Sequence, residues 1–240
     1  MIGHRGAAGL VPENTLPSFE RALDLGCRML ELDVYATQSG ELVVIHDDHL
    51  DRTTNLKGLS QELTAEARST SDAGGGQPIP LLVDVVELML TWADNNQTYA
   101  RELALNIELK GPDTAEPVSR FLADQKPEIE VLVSSFDHAE LSKFRHLDTS
   151  TEVAPLYHRW RKDWHETAAA LSAVAVNLSS RIATQARLQA IAEAGYQSFV
   201  YTVNEVSLAE KLCDWGATGV FTDRPDRLVP VFEGASVRRV

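Results

Sequence analysis

Two short runs of the chain carry acids at a spacing that chemistry can use. In "LELDV", Glu31 and Asp33 are separated by one residue. On a strand, positions i and i+2 share a face, with α-carbons roughly 6.6–6.8 Å apart. The run "NIELK" repeats the pattern with Glu108 and Lys110. Three carboxylates aimed at one cavity repel each other. A hard cation bound by oxygen ligands removes that repulsion, so the pattern predicts a divalent ion, Mg²⁺ or Ca²⁺. Without an ion, one of the acids must have a raised pKa. The alternative is that each acid pairs separately at a strand end. Two neighbouring strands ending in E-x-D and E-x-K, with histidines close by, favour one shared site.

His4 and His46 each close a short strand-like run, "MIG" and "ELVVIH". Imidazole carries protons near neutral pH. As a pair, one would deprotonate an attacking hydroxyl or water and the other would protonate a leaving oxygen. For a lone histidine a hydrogen-bonded structural role is the ordinary reading. It is the one adopted for His49, His138, His146, His158 and His165, none of which ends an apolar run beside acids. Arg5 follows His4 directly, and its planar fork of donors matches phosphate oxygens. Lys110 adds a point charge. Asn14 falls where a helix begins, and N-capping accounts for it.

Short β-rich runs that alternate with helix-period segments must position these residues. The strand-like runs are "MIG", "MLELDVY", "ELVVIH", "LALNIELK", "EVLVSSF", "EVAPLY", "AVAVNL", "SFVYTVN" and "TGVFTD". Between them, "TLPSFERALDLG" places Leu16, Phe19, Ala22 and Leu23 on one helical face, with Pro17 in the first turn and Gly26 at the end. "ATQARLQAIAEAG" also ends in glycine. Repeated β-then-α units rich in Val, Leu and Ile predict a parallel sheet covered by helices.

A parallel crossover needs a dozen or more residues, and only "TQSG" separates "LELDVY" from "ELVVIH". That pair must be an antiparallel hairpin. Its turn, centred near Ser39, is expected to bring His46 opposite Asp33. Eight parallel strands remain, the number that closes an α/β barrel. The prediction is a (β/α)₈ TIM barrel forming one domain over residues 1–240. A short polar insertion, about residues 48–76, follows the hairpin and is expected to cap one end without a second core. A last helix and a loose tail are expected after Asp226.

The length of 240 residues is ordinary for one such barrel. No run spans a membrane and no basic-then-apolar leader precedes the first strand. Cys27 and Cys213 share no metal or redox spacing, which predicts reduced thiols in a cytoplasmic protein. The net charge of −13 offers no basic face for nucleic acid or an anionic membrane. An anionic substrate would therefore need positive charge placed locally.

With these residues placed, the chain resembles the glycerophosphodiester phosphodiesterase family. The matching pieces are "HRG", "PENT", "ELDVYAT…G…VVIHDDHLDRTTN", "NIELK", "YTVN" and "TD", in the family's order from residue 2 to about 225. The resemblance implies a (β/α)₈ barrel with its site at the C-terminal ends of the strands. It implies hydrolysis of small glycerophosphodiesters to sn-glycerol 3-phosphate and an alcohol. By motif, His4 and His46 are the acid–base pair, Glu31, Asp33 and Glu108 bind the divalent metal, and Arg5 and Lys110 hold the phosphate.

The sequence departs from the family pattern at Ser39, where Asp is common, and at Tyr201, where Trp is common. Only two residues precede Gly3, so the first strand is expected to be short. Competing readings are a lysophospholipase- or sphingomyelinase-like lipid phosphodiesterase on the same barrel, and a barrel that binds phosphate without catalysis. The first should add an apolar entrance, and the second should lack a histidine or a metal carboxylate. Three aromatics in "YHRWRKDW", Tyr157, Trp160 and Trp164, either face a cationic headgroup or pack the barrel rim.

Overall fold

The structure, a computed structural model, describes residues 1–96 and 103–233. All nine strand-like runs form strands: β1 (Ile2–His4), β2 (Met29–Ala36), β3 (Leu42–Val44), β4 (Ala104–Leu109), β5 (Glu130–Ser135), β6 (Glu152–Tyr157), β7 (Ala175–Ser179), β8 (Gln197–Tyr201) and β9 (Gly219–Thr222). The helices are α1 (Leu16–Asp24), α2 (Ala65–Ser69), α3 (Leu82–Asn95), α4 (Ala115–Gln125), α5 (His138–Leu147), α6 (Trp164–Ala170), α7 (Gln185–Glu193), α8 (Val206–Asp214) and α9 (Pro225–Glu233). Every strand except β3 pairs in parallel with both neighbours, and the β1–β2 and β1–β9 pairings close the ring. This is a (β/α)₈ barrel with β3 added antiparallel to β2.

Alternation along the strands separates the barrel's two faces. On β2 and β4, Leu30, Leu32, Val34, Leu105, Ile107 and Leu109 point outward and join one apolar cluster with Phe19, Leu23, Val85 and Met89 of α1 and α3. The intervening residues, Glu31, Asp33, Asn106 and Glu108, point inward. Lower in the barrel, Leu132, Ala154 and Ala175 pack with Met29 and Phe199. The inner surface is thus apolar below and polar at the C-terminal end of the strands. Among the described residues, no helix is long and apolar enough to cross a membrane.

The hairpin forms as expected, but its register differs by one residue. Val34 pairs with Val44, and the Ile45 N–H donates to the Asp33 carbonyl at 3.0 Å. Ile45, not His46, therefore lies across from Asp33. The tight turn sets this alignment: the Thr37 N–H donates to Glu41 and the Gly40 N–H to Thr37. Ladder pairing ends at Val44, and His46 turns into the barrel mouth from the following bend.

The insertion also differs from expectation, because it has an apolar cluster of its own. Tyr35, Val43 and Ile45 of the hairpin pack with Leu50, Leu63, Ala73 and Ile79. Tyr35 shares the inward face of Glu31 and Asp33 but lies two residues further along β2, where the insertion covers it. The last helix, α9, begins at Pro225, and the expected tail lies outside the described residues.

The loop after β1 is clamped onto the start of α1. The Ala7 N–H donates to Ser18 Oγ at 2.9 Å, and that hydroxyl donates to the Arg5 carbonyl at 2.9 Å. Gly6 makes this approach possible. Its φ is +82°, and a Cβ there would lie 2.5 Å from the Ser18 carbonyl carbon. Gly6→Ala combines a disfavoured backbone region with overpacking, and it should cost about 2 kcal/mol. The urea midpoint should fall with the m-value unchanged; a midpoint equal to wild type would contradict this account of the loop.

Candidate active site

Strand register brings the predicted residues to one level. His4 pairs across the ladder with Glu31, Glu31 with Asn106, and Asp33 with Glu108. One carboxylate oxygen from each of Glu31, Asp33 and Glu108 lies within 4.8 Å of the other two, and all three residues are buried. A cavity of 140 Å³ opens above them, lined by His4, Arg5, Glu31, His46 and Glu108 together with Asn106, Phe136, Tyr201, Thr202 and Phe221. Five of the seven predicted residues thus line one cavity. Asp33 and Lys110 border it through ion pairs.

Those pairs fix the basic groups. Lys110 Nζ lies 2.5 Å from Glu108 Oε1 and 3.3 Å from Asp33 Oδ1. Arg5 Nε lies 3.3 Å from Asp33 Oδ2, and its Nη1 donates to Glu13 Oε1 at 2.8 Å. The Arg5 backbone N–H donates to Glu31 Oε2 at 2.9 Å, with Arg5 itself at φ 51°. Glu13 is held in turn by Arg52 of the insertion, which ties the cap to the site.

The charges are unequally compensated. Burial favours the neutral form of all three acids. For Asp33, that effect is outweighed by Lys110 and then Arg5, which hold its carboxyl well below the usual range. Glu31 is raised, by burial first and then by the neighbouring Asp33 charge. Glu108 is also raised by burial, although Lys110 opposes the shift. Three converging, buried and mutually repelling carboxylates are the donor set that a hard divalent cation requires. Glu31, Asp33 and Glu108 fit such an ion.

Both histidines are oriented by a carboxylate. His4 Nδ1–H donates to Asp223 Oδ1 at 2.6 Å, and His46 Nδ1–H donates to Asp47 Oδ1 at 2.5 Å. In each ring Nε2 makes no hydrogen bond within the described residues, and that of His4 lies 4.0 Å from Glu31 Oε2. Asp223 is held by Asn204, whose Nδ2 donates to Oδ2 at 2.8 Å, and Asp47 by Arg52. Burial lowers the His4 pKa, but Glu31 and Asp223 outweigh it and leave it raised. His46 is lowered, by burial first, with Lys110 and Arg5 adding to the shift against Asp33.

Several site residues escaped sequence reasoning. Asn14 is not the helix cap; Thr15 holds that position. Asn14 sits at φ 56° and its Nδ2 donates to Asp33 Oδ2 at 3.0 Å. A cap residue needs extended backbone, and the close turn after Pro12 denies it. Glu13, Asp47, Arg52, Asn204 and Asp223 orient other groups. All five lie inside the quoted runs "PENT", "HDDHLDR", "YTVN" and "TD", which was the available signal.

The aromatics of "YHRWRKDW" pack the rim. Tyr157 and Trp164 are buried in the core cluster of that side, and Trp160 packs against it under the Arg187 guanidinium, 4.8 Å from the ring centre.

Asp47 permits a test of the outer network. Hydrogen bonds from Arg52 and then His46, working against burial, hold its pKa down to about 2. A depressed carboxyl contributes stability that is present above the unfolded value of about 3.9 and lost as pH falls through the folded value. The gap in Tm between wild type and Asp47→Asn should therefore be full above about pH 4 and narrow as the pH falls towards about 2. A gap that stays constant over that window would contradict the pairing.

A sequence profile described as the Glycerophosphoryl diester phosphodiesterase family matches residues 4–227. A glycerophosphodiester phosphodiesterase of Bacillus altitudinis is 34% identical over 249 aligned positions, covering 97% of this chain and 98% of that protein. One from Caldanaerobacter subterraneus is 31% identical, covering 95% and 96%. The structure of an Oleispira antarctica phosphodiesterase in complex with the product sn-glycerol-3-phosphate superposes with a TM-score of 0.87 at 27% identity, covering 97% of this chain and 96% of that one. The chain belongs to the glycerophosphoryl diester phosphodiesterase family, whose named members are phosphoric diester hydrolases.

Proposed function

We propose that the chain hydrolyses small glycerophosphodiesters to sn-glycerol 3-phosphate and an alcohol, by histidine acid–base chemistry at a divalent-cation site. The observation that carries this reading is the meeting of His4, His46, Arg5, Glu31 and Glu108 around one cavity, with Asp33 and Lys110 ion-paired to its lining residues Arg5 and Glu108. The residues that would hold the ion, Mg²⁺ or Ca²⁺, are Glu31, Asp33 and Glu108. The chemistry supplied there is Lewis-acid polarisation of a phosphate oxygen and neutralisation of charge gained at phosphorus.

Arg5 and Lys110 hold the remaining phosphate oxygens. Both are anchored by carboxylates before substrate arrives, so little reorganisation accompanies charge development. Nε2 of one histidine takes the proton of the attacking hydroxyl or water, and Nε2 of the other gives one to the leaving oxygen. Asp223 and Asp47 keep each ring in the tautomer this needs. The glycerol portion meets Asn106 Oδ1 and Tyr201 Oη, two buried polar atoms of the cavity wall with no hydrogen-bond partner in the protein. An unsatisfied buried polar atom is costly, and substrate hydroxyls would remove the cost.

The substrate expectation is a broad range of small headgroups. The apolar side chains Leu50, Leu63, Ala73 and Ile79 of the insertion segment are buried in a cluster of their own, which leaves them unavailable to a long acyl chain. The test is product release from glycerophosphocholine. His4→Ala and His46→Ala should each lower kcat at least about 10²-fold. The double variant should lose less than the product of the single losses, because the pair acts as a unit. Near-normal turnover in either single variant would overturn the assignment.

A further inference from the structure

The catalytic cavity, at 140 Å³, is small beside the ~300–1,000 Å³ of pockets that enclose a drug-sized ligand. It suits a glycerol phosphate and leaves the alcohol on the far side of phosphorus to lie elsewhere. A second cavity, of 500 Å³, opens between the β5–α5 and β6–α6 loops at the same end of the barrel. Phe136 is a wall of both. Phe136 is 37% exposed, and its ring centre lies 5.6 Å from that of Tyr201 in the first cavity and 5.6 Å from that of His158 in the second. Lys110 Nζ lies 5.7 Å from the same ring centre. Phe136 is therefore the boundary between the two cavities, with the Lys110 ammonium beside it.

Most polar groups facing the second cavity are already engaged. Asp137 Oδ1 accepts the Ala139 and Glu140 N–H groups at the start of α5. Arg161 makes two hydrogen bonds to Asp163, at 3.0 and 2.7 Å. His138 Nε2–H donates to the Leu156 carbonyl at 3.1 Å. Arg159 differs: among the described residues, no hydrogen bond or ion pair engages its guanidinium. No open aromatic cage for an ammonium stands beside it, because Tyr157 is buried and Trp160 is covered by Arg187. In a chain of net charge −13, an unpaired arginine at this place is a local attraction for an anion.

We propose that this second cavity is the leaving-group subsite, and that Arg159 favours a leaving alcohol carrying a second anionic group, a phosphate or carboxylate, over a quaternary ammonium. The inference rests on the phosphodiesterase reading and adds the chemistry of the alcohol. It is tested by kcat/KM for three glycerophosphodiesters. Their leaving alcohols are choline, glycerol, and a glycerol bearing a terminal phosphate.

The wild-type chain should prefer the phosphate-bearing substrate over the choline one by about tenfold, the scale of one charge-assisted hydrogen bond. The ratio should shrink as salt rises. Arg159→Ala should bring it towards one, and Arg159→Lys should retain part of it. The ratio is internal to each variant, so a misfolded fraction cancels. A wild-type ratio near one or favouring choline, or an unchanged ratio in Arg159→Ala, overturns the subsite. Wild-type cleavage of none of the three overturns the phosphodiesterase reading itself.

Discussion

Repulsion among Glu31, Asp33 and Glu108 is the constraint around which this end of the barrel is arranged. Three carboxylates are buried with their oxygens within 4.8 Å of one another, and charges in such surroundings are poorly screened. The protein answers part of the repulsion itself. Lys110 bridges Glu108 and Asp33, Arg5 faces Asp33, and Asn14 donates to the same carboxylate. These groups leave one negative charge in excess, which a proton on Glu31 would remove. Replacing that proton with a divalent cation would take the three acids, Arg5 and Lys110 from neutral to a single positive charge. A phosphodiester carries a single negative charge, so the cluster and the proposed substrate are complementary only with the ion bound.

The fold meets this constraint by alternation. β2 and β4 are apolar on the outer face, where α1 and α3 cover them, and polar inside near the C-terminal end. The lower interior is filled by Leu132, Ala154, Ala175, Met29 and Phe199, so the polar cluster sits on a packed floor. Outer residues then hold the site in place. Asn204 fixes Asp223, which fixes His4. Arg52 joins Asp47 and Glu13, and so links His46 and Arg5 through the insertion. The insertion is therefore tied by ion pairs to residues that line the cavity and is not a detachable cover.

Much of this arrangement was legible in the sequence, for physical reasons. Period-two runs and short turns declare strands, and the four residues of "TQSG" allow only a hairpin. E-x-D and E-x-K on neighbouring strands required only that the strands pair in register, and they do. What was not legible depends on distant partners or local backbone. Asn14 reads as a cap by type and position, yet its left-handed backbone turns the side chain to Asp33. The one-residue difference at His46 follows from hydrogen bonding within a turn. Asp223 finds His4 across 219 residues of chain, a pairing no local pattern encodes. The apolar cluster under the insertion is spread over Tyr35, Val43, Ile45, Leu50, Leu63, Ala73 and Ile79, too sparse to read as a core.

The sign of the charge in the cavity makes the account decidable by one measurement. Chain stripped of divalent ions with a chelator is supplied with glycerophosphocholine, and release of sn-glycerol 3-phosphate is followed before and after adding back Mg²⁺ or Ca²⁺. Without an ion, Arg5 and Lys110 are offset by the three carboxylates and offer no net positive charge to meet the phosphate, so the stripped chain should be inactive, and either ion should restore turnover. Full turnover by the stripped chain would contradict the central claim that the three carboxylates exist to hold a cation against the substrate.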